Sequence, residues 1–141
     1  MQPTERIGIW VRYAHLAMGV AGLLTFLWTG RFMLRHFPAA YRGHEEIRFL
    51  YRANHLYIMF SSLLNLVIGR HVRIEASWRR RRALLVVSSL AILLAVPVLI
   101  AAFYLEPPLA GAVRGTTLLG CVLVFGGGVL HVFAARPRPE L

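Results

Sequence analysis

Arg52-Ala-Asn-His-Leu-Tyr-Ile-Met-Phe-Ser-Ser-Leu-Leu-Asn-Leu-Val-Ile-Gly69 carries no charge from Ala53 onward, yet it contains His55, Ser61, Ser62 and Asn65. At helical spacing His55, Met59, Ser62, Asn65 and Gly69 fall at i, i+4, i+7, i+10 and i+14 and share one face. The other faces are Leu, Ile, Val and Phe. This is the pattern of a membrane helix that turns hydrocarbon to lipid and polar groups to its neighbours or to a ligand.

The rest of the chain has the same character. Of 141 residues, 57% are hydrophobic, and the mean hydropathy of +0.60 is too high for a soluble domain of this size. Uncharged runs of membrane-spanning length cover Tyr13 to Gly30, Ala53 to Gly69, Ala83 to Leu105 and Thr116 to Ala135. They predict an all-α, polytopic membrane protein: one integral membrane domain over 1–141, a four-transmembrane-helix bundle with spans of about 7–32, 48–69, 83–105 and 116–135. The first run starts after Glu5 and Arg6 and is longer than a signal-peptide core, so it is expected to be retained as a span.

All sixteen basic residues are Arg, and the six acids are all Glu. In a soluble chain a net charge of +10 would suggest nucleic acid. Here the arginines flank apolar spans, and the reading is anionic lipid headgroups near Arg79, Arg80, Arg81 and Arg82, beside the interfacial Trp78, with no nucleic-acid partner. Arg6, Arg70, Arg73, Arg79 to Arg82, Arg136 and Arg138 fall on one side. Arg31, Arg35, Arg42, Arg48 and Arg114, partly offset by Glu45, Glu46 and Glu106, fall on the other. The bias puts both termini in the cytoplasm and the protein in a bacterial inner membrane. The single Cys121 excludes an intramolecular disulfide.

Along the chain, Arg12, His15, Gly19, Gly22 and Phe26 share a side of the first helix. Pro38 and Gly43 are expected to break the helix within a polar connection from Arg31 to Arg48. The third span is nearly all aliphatic, with a kink expected at Pro97, and it is expected to be the most lipid-exposed of the four. Glu106-Pro107-Pro108 stops it. In the fourth span Thr117, Gly120, Val124, Gly127 or Gly128, and His131 share a face. From the midplane of each run, His15 lies about 10 Å and His131 about 8 Å toward the cytoplasm, and His55 about 9 Å the other way. His15 and His131 therefore share a layer.

Two imidazoles at one depth on separate helices, with small residues alongside and a cation near, are what haem b requires. His15 and His131 are the candidate metal ligands, Gly19, Gly22 and Gly127 the small residues, and Arg12 the propionate partner. The segment Arg6-Ile-Gly-Ile-Trp-Val-Arg-Tyr-Ala-His15, a second span opening with His55 and a fourth carrying His131 resemble the bacterial four-helix cytochrome b561 type. The resemblance implies two haems b and electron exchange with quinone, with His15 and His131 on the cytoplasmic haem. It departs at Thr117, where that family has a second histidine in the last helix. His55 is then left to face a quinone headgroup, with Ser62 and Asn65 deeper in the bundle. The competing reading is an accessory or assembly subunit of a membrane complex, or a homo-oligomer. In it the histidines are interhelical hydrogen-bonding groups and the glycines are packing contacts. A copper site from Met33, His36 and His44 is weaker. No span holds Asp or Glu, and no hydrolytic motif occurs.

Overall fold

The computed structural model describes residues 3–71, 79–106 and 114–135. Among these there are four helices and no strand: α1 (Pro3–Ala40), α2 (Glu45–His71), α3 (Arg79–Leu105) and α4 (Gly115–Ala135). Arg73, Trp78, Pro107, Pro108 and the tail from Arg136 lie outside the described residues. The helices pack in chain order, α1 on α2, α2 on α3 and α3 on α4, with α3 also reaching α1 and α2 touching α4 at its margin. Among the described residues no Cα of α1 comes within 8 Å of one in α4. The two outer helices do not meet at backbone level.

Three helices, α1, α3 and α4, are long and apolar enough to cross a membrane. Their outward faces carry Leu24, Trp28, Leu94, Val122 and Phe133, all exposed, as expected of surfaces meant for hydrocarbon rather than water. α2 is not among the three, because Asn54, His55, Ser61, Ser62 and Asn65 lower its hydropathy. Those residues are on the inside: Asn54, Ser61, Ser62 and Asn65 are all fully buried.

Two expectations are corrected. Pro38 does not end the first helix, which runs 38 residues to Ala40, about 57 Å at 1.5 Å per residue, and so outreaches a hydrocarbon layer of about 30 Å. Pro38 sits in the last turn, two residues before the helix ends, and the chain reverses only at Gly43, whose φ of 83° suits glycine. Nor is α3 the lipid-exposed helix. Ile92, Ala95, Val96, Leu99, Ala102 and Phe103 are buried, giving it the largest buried share of the three membrane-length helices. A helix that is aliphatic all round belongs in a core as well as in lipid, and its sequence shows no polar face to tell the two apart. Pro97 lies within α3, which continues through it to Leu105.

The glycines set the closest approaches. A Cβ at Gly22 would fall on Ser62 Oγ, and one at Gly19 would lie 2.9 Å from the Ser62 carbonyl oxygen. At Gly127 it would lie 3.2 Å from the Ser88 carbonyl oxygen. α1 is thus pressed on α2 and α4 on α3, as small residues allow in lipid.

The α3–α4 junction is pinned by Glu106. Its carboxylate accepts the backbone N–H groups of Thr116 and Thr117, the latter at 3.1 Å, and the Thr117 hydroxyl at 2.6 Å, capping the N-terminus of α4. Arg114 Nε lies 3.3 Å from it, and Arg114 Nη1 donates to the Leu50 carbonyl on α2 at 3.1 Å. Burial alone would raise the Glu106 carboxyl. The hydrogen bonds from Thr117 and Thr116 outweigh burial and hold it below its ordinary value. At the other end, Arg81 Nε donates to the Ala134 carbonyl at 2.6 Å and closes the last turn of α4.

Candidate functional site

His15 is completely buried in α1, and its Nδ1 lies 2.7 Å from Asn65 Oδ1 on α2. The Asn65 amide is oriented by its own donors, since Nδ2 donates to the Ser61 carbonyl at 2.8 Å and the Ile92 carbonyl of α3 at 3.2 Å. Its oxygen must therefore face His15, and the proton is on His15 Nδ1. The lone pair is left on Nε2, which is buried with no hydrogen-bond partner.

His131 on α4 follows the same logic. Ser88 Oγ of α3 donates its proton to the Leu85 carbonyl at 3.0 Å, so at 3.1 Å from His131 Nδ1 it accepts. His131 is thus also protonated on Nδ1, with its Nε2 lone pair unused by these bonds. A groove of about 370 Å³ runs between α2 and α4, lined by Phe60 and Leu64 of α2 and by Val124, Gly128 and Val132 of α4.

His55 occupies a separate place. Thr29 Oγ1 donates to the Phe26 carbonyl at 3.0 Å and accepts His55 Nδ1–H at 2.9 Å, while the imidazole stacks on Phe26 at 4.0 Å. Its far edge lies against Gly30, where a Cβ would come 3.5 Å from Nε2. Ser62 and Asn65, placed with His55 on the sequence, belong instead with Gly22 and His15. All three lie on the side of α2 that meets α1, at different heights along it, and Asn65 reaches α3 as well.

The other candidates separate likewise. Arg12 is exposed. Gly19, Gly22 and Gly127 are covered by α2 and α3 and offer no surface to a flat ligand. Thr117, which stands where the resembled family has a histidine, is spent on Glu106. His36 and His71 are exposed and hydrogen-bond the carbonyls of Phe32 and Val67 one turn back. Among the described residues no three His, Cys, Asp or Glu side chains gather as a metal site. Of the headgroup arginines, Arg80 is exposed and Arg81 is bound to Ala134.

The residues not anticipated are the orienting ones, Ser88 and Thr29, and the Glu106–Arg114 pair. Their signal was present as hydroxyls inside aliphatic helices and as an acid and a base flanking the fourth span.

Fold and site together define an α-helical protein with membrane-length helices and three interior histidines whose tautomers are set by neighbouring helices. No family model, no curated protein and no solved structure matches the chain.

Proposed function

We propose that this is a small b-type membrane electron carrier of a bacterial inner membrane, with four spans, both termini in the cytoplasm, and His15 and His131 as the axial pair of one haem b. The observation that carries the reading is the matched chemistry of the pair. Each ring gives Nδ1–H to an oxygen on an adjacent helix and keeps its Nε2 lone pair, which is how proteins orient and enrich a metal-binding imidazole. A buried Nε2 without a donor is costly in lipid and calls for an occupant.

The donor set fits haem. The glycine strips do not serve it, because α2 and α3 cover them. What supports insertion between α1 and α4 is that these helices share no Cα pair within 8 Å, so no backbone-to-backbone contact between them has to part. Bound there, the iron would supply one-electron transfer. The protein's part is to fix both imidazoles, exclude water, and place Arg12 and the basic end on the cytoplasmic face. A quinone partner would approach near His55.

The test is the visible spectrum of detergent-purified protein from haem-replete cells, before and after dithionite. A Soret band with reduced α and β bands is expected, lost in His15→Ala and in His131→Ala. A featureless spectrum at full haem supply refutes it.

A second reading is favoured by the covered glycines and by the interhelical bonds of all three interior histidines: an accessory subunit that docks on a partner or on a second copy. It is the reading to adopt after a featureless spectrum, and crosslinking in the native membrane is its test.

A further inference from the structure

At the end of the bundle away from His15 and His131, a second set of buried polar groups has no partner. Asn54 is completely buried, and neither its Oδ1 nor its Nδ2 makes a hydrogen bond. It faces the α2–α3 seam, because Tyr51 and Ile58, one turn before and after it on α2, both pack on Phe103, Tyr51 at 5.2 Å between ring centres. Arg114 meets the preceding turn of α2. The Leu50 carbonyl that receives Arg114 Nη1 is the helical acceptor of the Asn54 backbone N–H, so the guanidinium sits one turn from the Asn54 side chain. Arg114 Nη2 is also buried and unpartnered.

The chemistry of the missing partner can be read from what is left over. N–H donors from Arg114 Nη2 and Asn54 Nδ2 outnumber the one free acceptor, Asn54 Oδ1. The guanidinium charge is already opposed by Glu106 at 3.3 Å, so a full anion is not required. The flanking groups, Tyr51, Phe103 and Ile58, are apolar or aromatic. Asn54 stands at the start of the uncharged run of α2, and if that run is a span it lies near the depth of ester carbonyls in a bilayer.

We infer that Asn54 and Arg114 form a binding site for the carbonyl oxygen of a neutral, membrane-soluble molecule, which enters the α2–α3–α4 seam beside Tyr51 and Phe103. Two sources carry that chemistry, the acyl ester of a phospholipid and a lipid-soluble ring carbonyl compound. The site uses no atom of the His15–His131 pair and stands whether or not haem is bound.

The experiment is delipidation of the full-length protein in detergent. It is followed by titration with dioleoyl phosphatidylglycerol or with a decyl-substituted benzoquinone, read by tyrosine and tryptophan fluorescence and by native mass spectrometry. One equivalent of one probe is expected to bind, and which probe binds identifies the source. Asn54→Leu is expected to weaken binding at least tenfold while melting at the same or a higher temperature, since it removes a buried amide without a partner. Arg114→Gln is expected to weaken it in the same direction. Equal binding by wild type and Asn54→Leu, or no one-equivalent binding of either probe, overturns the inference. Repeating the titration on His15→Ala separates this outcome from that of the haem test.

Discussion

Replacing Asn65 by Leu removes the group that links three helices at one point. Asn65 accepts from His15 of α1 at 2.7 Å and donates to the Ile92 carbonyl of α3 at 3.2 Å, all within the dry interior. Interhelical hydrogen bonds in membrane proteins average about 0.6 kcal/mol and reach about 1.7. The short, fully buried His15 bond belongs at the top of that range, about 1.5 kcal/mol, and the longer Ile92 bond near the average. The orphaned His15 Nδ1–H adds about 1 kcal/mol, because the ring already has an unpartnered Nε2 and no water to turn to. The expected loss for Asn65→Leu is about 3 kcal/mol. Reversible unfolding in mixed micelles measures it, and a double-mutant cycle with His15→Leu isolates the pair. Because removing both partners leaves no orphan, His15→Leu/Asn65→Leu is expected to be less destabilised than the sum of the singles, by about 1.5 kcal/mol. A loss below about 0.5 kcal/mol, or strict additivity, would refute the tautomer argument, since that argument requires the His15 proton to be held by Asn65.

Three further outcomes follow from other parts of the molecule. Glu106→Gln should cost about 2 kcal/mol at neutral pH, through a weaker cap on α4 and a weaker hold on Arg114. The Glu106 carboxyl is held below its ordinary value in the fold, so its contribution is complete above that value and lost as pH falls through the folded one. The melting-temperature gap between wild type and Glu106→Gln should therefore close in acid, and a gap independent of pH would contradict the capping geometry. Gly22→Val should destabilise by about 3 kcal/mol or more, since its side chain falls on Ser62, whereas Gly126→Ala, with open space at its Cβ, should be neutral or stabilising by up to about 1 kcal/mol. Gly43→Ala should cost about 1 kcal/mol in thermal unfolding because its φ of 83° disfavours any other side chain.

What the sequence disclosed and what it hid have a common physical origin. The helices were legible because uncharged runs of fixed length and a single polar stripe are one-dimensional signals, and α2 fulfilled them by burying Asn54, Ser61, Ser62 and Asn65. The division of that stripe was not legible. His55, Ser62 and Asn65 all turn to α1, and whether each meets Thr29, Gly22 or His15 depends on the register of α1 against α2, which spacing along one helix does not fix. The glycines were ambiguous for the same reason: a strip that admits a flat ligand also admits a neighbouring helix, and at Gly19, Gly22 and Gly127 the helix took the place. Pro38 misled because a proline marks a helix end only to within a turn, and α1 stops two residues past it, at Ala40.

The inwardly polar character of α2 bears on how the protein is made. On the four-span reading, this segment leaves the insertion machinery too polar to settle in lipid by itself, with a row of amide and hydroxyl groups facing hydrocarbon. Its partners are supplied early by α1, through His15, Thr29 and Gly22, and only later by α3, through Ile92. The first two helices must then enter the bilayer as a paired hairpin, and a lesion at Gly22 would appear first as failed insertion of α2, with its extramembrane ends on the wrong side, before any loss of stability in the finished bundle.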